Sequence, residues 1–139
     1  MMHNMPHVSK RKLKERAEKE LTKSLQTVLT KINNYQEIGS FLDSLLSDTE
    51  RLMLAKRLAI VVLLEEKIPE STIANVLSVT RETVARQRYR LELKGVGYKI
   101  ALKKLAEEKM LQSFKNLLLS FARYYARTAG GRVKPGILD

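Results

Sequence analysis

Residues 69–94 read PESTIANVLSVTRETVARQRYRLELK. Pro69 suits a helix start, where its missing N–H costs nothing and its φ is already helical. The spacing predicts one short helix from there to about Leu77, a connector Leu77-Ser78-Val79, and a second helix capped by Thr80. Glu82 then sits in the first turn of that second helix, where the dipole favours negative charge. Two helices of two to three turns joined this tightly have the spacing of a helix-turn-helix, predicted over about 69–93. Ala74 supplies the small residue needed where the helices cross, and Ile73, Leu77, Val79, Val84 and Leu91 supply apolar surface to lock the pair. One turn residue in such a motif tends toward the left-handed region, where glycine is usual. Here that residue is Ser78.

The surface of the second helix separates a nucleic-acid reader from an ordinary helical hairpin. With Val84, Leu91 and one of Ala85 or Tyr89 turned inward, the exposed positions are expected to be Arg81, Glu82, Arg86, Gln87, Arg88 and Arg90. Arginine's planar fork matches guanine edges and phosphate oxygens. Thr80 and Thr83, near the helix N-terminus, suit a phosphate that the dipole also attracts.

Outward from this motif the pattern stays helical. Leu13, Ala17, Leu21, Leu25, Val28 and Ile32 step by four and three from Ser9 to about Asn33, and Ile38, Phe41, Leu42 and Leu45 mark a short second helix. Ser47 or Asp48 can cap a third, with Glu50 three residues after Ser47 in the capping-box spacing and Leu54, Leu58, Val61 and Val62 as its stripe. Beyond the motif, Gly95 and Gly97 are expected to stop the preceding helix, and Lys99 to about Thr128 reads as one long final helix. Its residues Leu111, Phe114, Leu118, Phe121 and Tyr125 fit either packing on the chain's own core or a seam to a partner chain. Strand signals are absent, so the fold class is all-α, with about six helices around a central helix-turn-helix. The expected organisation is a disordered N-terminus over 1–8, a helical DNA-binding domain over 9–105, a helical extension over 106–128 and a flexible tail over 129–139.

Composition removes other classes of function. The 139 residues hold 26 Lys+Arg against 15 Asp+Glu, a net +11, with no cysteine. Residues 1–32 carry +5, 33–79 carry −3, 80–104 carry +6 and 105–139 carry +3, so the excess sits in the first helix and the helix-turn-helix region. Zero cysteines exclude a disulfide framework and a thiol nucleophile. The two histidines, His3 and His7, lie in the Met-rich start, away from any other candidate chemistry. No glycine-rich phosphate loop occurs, and neither an enzyme activity, a cofactor nor a metal site is expected. The longest apolar run, Leu58 to Leu64, is far below the ~20 residues of a membrane span. A cytoplasmic, nucleoid-associated protein with no membrane partner is the expectation.

Three pieces of sequence carry a family resemblance: Leu54, Ala55, Arg57 and Leu58 in the third helix; Thr80, Thr83, Val84 and Arg86 in the fifth; and Gly97, Tyr98, Ala101 and Leu102 after it. Together, over about Leu21 to Leu105, the chain resembles the Trp repressor superfamily, and looks closest to its short bacterial relatives of poorly known function. The resemblance implies an intertwined homodimer that presents two recognition helices to successive major grooves of double-stranded DNA. It further implies Arg81, Glu82 and Ala85 as base readers, and Ser71, Thr80, Thr83, Arg86 and Arg88 as backbone contacts. The basic arm, with Lys10, Arg11 and Lys12, either reaches the DNA backbone or packs as a solvated helix on the dimer. Ser47, Arg57 and Arg86 match positions of the family's effector pocket. Gln87, however, stands where the family has a small glycine, and Arg90 replaces a turn position of the amine site, so L-tryptophan is not expected as corepressor. The function expected is a sequence-specific transcriptional regulator, a repressor. The alternative is a non-specific nucleoid-associated or RNA-binding structural protein.

Overall fold

The computed structural model describes residues 7–128, with side chains from Lys12 onward except Leu13. Of the N-terminus expected to be disordered over 1–8, residues 1–6 lie outside the described residues and His7 and Val8 begin α1; the expected tail over 129–139 and the side chains of Lys10 and Arg11 also lie outside the described residues. Seven helices follow in order: α1 (His7–Lys31), α2 (Tyr35–Leu45), α3 (Asp48–Glu65), α4 (Glu70–Leu77), α5 (Arg81–Lys94), α6 (Val96–Glu107) and α7 (Leu111–Thr128). No strand occurs among the described residues. The chain is all-helical.

Two compact units divide the chain at Asp48. In the first, Asn34 caps α2 by accepting hydrogen bonds from the Gln36 and Glu37 amides at 2.9 and 3.1 Å. No residue of α2 is buried, and the leucine stripe of α1 is exposed at Leu21, Leu25 and Leu29. Helices lacking a buried face draw little stability from propensity alone, so this unit presents apolar surface without a core of its own.

The second unit holds the core. The C-terminal half of α3 is buried on every side, from Ala59 through Leu63. Ile73 and Ala74 of α4, Val84 of α5, and Leu118 and Ala122 of α7 pack into the same cluster. Each fully buried Ile, Leu or Val contributes about 1.5–3 kcal/mol relative to exposure. The N-terminal half of α3 is different, since Leu54, placed by periodicity in the apolar stripe, is 46% exposed.

Three helices end in one way, and none of them uses glycine. Lys67 (φ 61), Ser78 (φ 54) and Lys109 (φ 58) close α3, α4 and α6 in the left-handed region. After each, the next amide reaches back five residues: Ile68 donates to the Leu63 carbonyl at 3.1 Å, Val79 to Ala74 at 2.9 Å and Met110 to Leu105 at 2.9 Å. This is the Schellman arrangement, which satisfies carbonyls that a helix end leaves open.

Lys109 corrects the expectation of one helix from Lys99 to Thr128. The chain turns at 108–110 and separates α6 from α7. The glycines behave in the opposite sense. Gly95 has φ −74 and ψ −7 and joins α5 to α6 almost without interruption, while Gly97 lies inside α6. A left-handed non-glycine residue costs roughly 1–2 kcal/mol, partly offset by glycine's greater freedom in the unfolded chain. Lys109→Gly is therefore expected to stabilise the unit by about 0.5–1 kcal/mol, read as a rise of a few degrees in Tm. A fall in Tm would show that the lysine side chain contributes more than its backbone costs.

Candidate nucleic-acid interface

The helix-turn-helix forms as its sequence dictates. Ser78 takes the left-handed position and its amide donates to the Ala74 and Asn75 carbonyls. Val84 is fully buried against α4, whose Ile73 is buried equally. Pro69 occupies the cap position of α4, one residue ahead of the first helical residue. Thr80 caps α5, with Oγ1 accepting from the Thr83 amide at 3.1 Å. The Thr80 and Thr83 hydroxyls lie 2.8 Å apart and share a hydrogen bond. They bracket the open N-terminal amides of α5, where a phosphate oxygen is favoured.

Beyond the cap, α5 exposes a basic face. Arg81, Arg86, Arg88 and Arg90 are all exposed, but they are not equivalent. Arg86 donates to Glu82 Oε1 at 2.6 Å, one turn back along the helix. Both side chains are about 70% exposed, so the pair is worth only about 0.2–1 kcal/mol and opens cheaply for a base or a phosphate. Arg88 pairs across the motif with Glu70 of α4 at 2.7 Å, at a less exposed carboxylate. Arg81 and Arg90 have no acidic partner among the described residues. Ala85 is half-buried beside this face, and Ser71 is half-buried in the first turn of α4, its carbonyl accepting from Asn75 Nδ2 at 2.8 Å. Lys12 of α1 is exposed.

One residue of the expected exposed set faces inward. Gln87 is only 4% exposed, and its Oε1 accepts a hydrogen bond from the Tyr98 hydroxyl of α6 at 2.7 Å. Tyr89, offered as an inward residue, is 63% exposed. The reason is helical geometry: Val84, Gln87 and Leu91 stand at three and four residue intervals and share the face that meets the protein. Gln87 can accompany Val84 because Tyr98 satisfies its carbonyl oxygen. The residue-type argument missed it, and the spacing contained the signal.

The positions matched to an effector pocket are dispersed in role. Arg57 is exposed on α3, Arg86 is engaged by Glu82, and Ser47 precedes α3 in the other compact unit. Among the described residues no three His, Cys, Asp or Glu side chains converge as metal ligands would. No described helix is long and apolar enough to cross a membrane.

An arginine-bearing helix, capped by threonine, is thus locked at a left-handed turn to a short partner helix. The profile of the Trp repressor protein family matches residues 19–106, well over half of the chain. The chain belongs to the Trp repressor family. Nothing matches among the curated proteins or among the solved structures. The family is one of helix-turn-helix DNA-binding regulators rather than enzymes. Its match ends at residue 106, inside α6, so α7 lies beyond the matched residues. Helix α7 packs on α4 and α6 and places Leu118 and Ala122 in the core cluster with Ile73 and Val84.

Proposed function

We propose that this Trp repressor family member is a sequence-specific regulator of transcription, a repressor that docks α5 in the major groove of double-stranded DNA as a homodimer. The observation that carries this reading is Arg81: exposed, on the first turn of a capped helix, and free of any acidic partner among the described residues. Its guanidinium is available for a bidentate contact to guanine, while Glu82 offers an acceptor for cytosine N4 and Ala85 a small apolar contact. Thr80, Thr83, Arg86, Arg88 and Ser71, with Lys10, Arg11 and Lys12 of the arm, supply backbone contacts that fix register. The residues 9–105 act as the DNA-binding domain, and 106–128 extend it.

A second chain is supported by uncovered apolar surface. Leu21, Leu25 and Val28 on α1, and Leu117, Phe121 and Tyr124 on α7, are 40% or more exposed. Contiguous apolar rows of this kind mark surfaces that association buries.

L-tryptophan is not the effector in this reading. Gln87 stands where the family resemblance has a small glycine, and its side chain is buried and hydrogen-bonded to the Tyr98 hydroxyl.

Selection of bound duplexes from a random library, with and without L-tryptophan, tests the whole proposal. The expected result is one symmetric motif, enriched equally in both arms. Arg81→Ala should then cost roughly 1–3 kcal/mol on the selected site and relax base choice at one position per half-site. Enrichment of no duplex above about tenfold would favour the non-specific nucleoid or RNA-binding role instead.

A further inference from the structure

We infer that the Tyr98 hydroxyl, acting through Gln87, sets the roll of α5 about its own axis and thereby the reach of Arg81 into the duplex. Tyr98 is then a positioning residue for recognition, an assignment that rests on the DNA-binding reading above.

Helix α5 has 14 residues but only two buried side chains, Val84 and Gln87. Val84 is an apolar anchor, and apolar contacts hold a helix down without fixing its rotation tightly. Gln87 lies almost one turn further on, and its anchor is directional. Its Oε1 meets the Tyr98 hydroxyl at 2.7 Å, and alignment is a condition of such a bond. These two buried anchors on one face, one of them directional, define both the tilt and the roll of the helix, since Leu91 on that face is only half-buried and the Arg88–Glu70 pair is weakened by solvent. Beyond them Tyr89 and Leu93 point to solvent and hold nothing in place.

The α5–α6 junction is built to make this bond possible. Gly95 is buried, and a Cβ there would overlap the Leu91 carbonyl oxygen. Its absence lets α6 start immediately after α5, so that Tyr98, in the first turn of α6, reaches back to a residue 11 positions earlier.

The geometric stake is large compared with the tolerance of base readout. Side-chain ends lie about 6 Å from a helix axis, so a roll of about 20° moves them by about 2 Å. Hydrogen-bond distances vary over only about 0.5 Å. Phosphate contacts through long, flexible side chains absorb such a shift, and base contacts do not.

The test uses full-length Tyr98→Phe, which removes one oxygen and keeps the ring. Affinity for the library-selected duplex is expected to fall roughly tenfold, while affinity for random duplex changes by less than about twofold and the slope of log affinity against log salt stays the same. Gln87→Leu, which keeps volume and leaves the half-buried Tyr98 hydroxyl near solvent, should show the same loss of selectivity and guards against a folding defect in the first variant. The double variant should lose no more than either single one, because both act on one bond.

Unchanged selectivity in a folded Tyr98→Phe protein, or losses that add in the double variant, overturn the assignment while leaving the DNA-binding reading intact. A purely structural role would lower Tm and weaken binding to selected and random duplex alike, and that too overturns it. Failure of the unsubstituted protein to select any duplex removes the parent reading and this inference together.

Discussion

A chain ending after Glu107 is expected to lose the cooperative folding of its helix-turn-helix unit, although every residue matched by the family profile would be present. The truncation removes Leu118 and Ala122 from the core, together with the half-buried Leu111, Phe114, Leu119 and Ala126 that pack against it. Removing a buried leucine side chain alone costs about 2–5 kcal/mol, and total domain stability is only about 5–15 kcal/mol. The summed loss from one leucine, one buried alanine and four partly buried apolar residues therefore reaches the stability of the whole unit. Leu118→Ala in the full chain isolates the leading contribution, with an expected fall in Tm of about 10 °C or more by circular dichroism. Lys115→Ala is the contrasting variant. Lys115 pairs with Glu66 of the α3 end at 2.8 Å, but both side chains keep roughly 30% exposure, so solvent discounts the pair to about 1 kcal/mol or less. A larger effect from Lys115 than from Leu118 would mean that charge, not burial, holds α7 in place.

The dependence of the motif on α7 was only half legible in the sequence. The periodicity of Leu111, Phe114 and Leu118 pointed correctly to a face on the chain's own core, as one of two readings. The continuation through Phe121 was misplaced, because the face passes through Ala122 and Ala126, residues too small to stand out in an apolar pattern. Phe121 instead joins Leu117 and Tyr124 on the exposed side. The helix-turn-helix itself was legible nearly to the residue, since Thr80, Ser78, Ile73 and Val84 each have a local reason for their position. Helix ends were the weak point, for a physical reason. A Schellman closure needs one left-handed residue and two backbone bonds, and Lys67 and Lys109 provide these with no compositional mark. Gly95 has such a mark, but its missing Cβ serves a close approach to Leu91, not a reversal of the chain.

Simultaneous replacement of Arg81, Arg86, Arg88 and Arg90 by Ala is expected to abolish specific duplex binding while the chain remains folded. The fold survives because none of the four is buried, Val84 and Gln87 still anchor α5, and alanine is the best helix former. The lost ion pairs, with Glu82 and Glu70, are exposed enough to cost little. Binding has no such reserve. Each phosphate contact contributes about 0.9 to the salt slope, and six to ten contacts weaken affinity by about 10³–10⁵ between 50 and 200 mM salt. Removing the two phosphate-directed arginines, Arg86 and Arg88, with the base reader Arg81 and the neighbouring Arg90, should lower the slope by about 2 and the affinity for the selected site by at least about 10³. The measurement is a salt titration of duplex affinity for both proteins, with Tm recorded alongside. The outcome also divides the two basic regions of the chain. If the substituted protein keeps its affinity and its slope, the charge of residues 1–32, net +5, carries the binding, and duplex contact is electrostatic coating without readout by α5. If slope and selectivity fall together, the +6 of residues 80–104 is the reading surface and the arm contributes only reach.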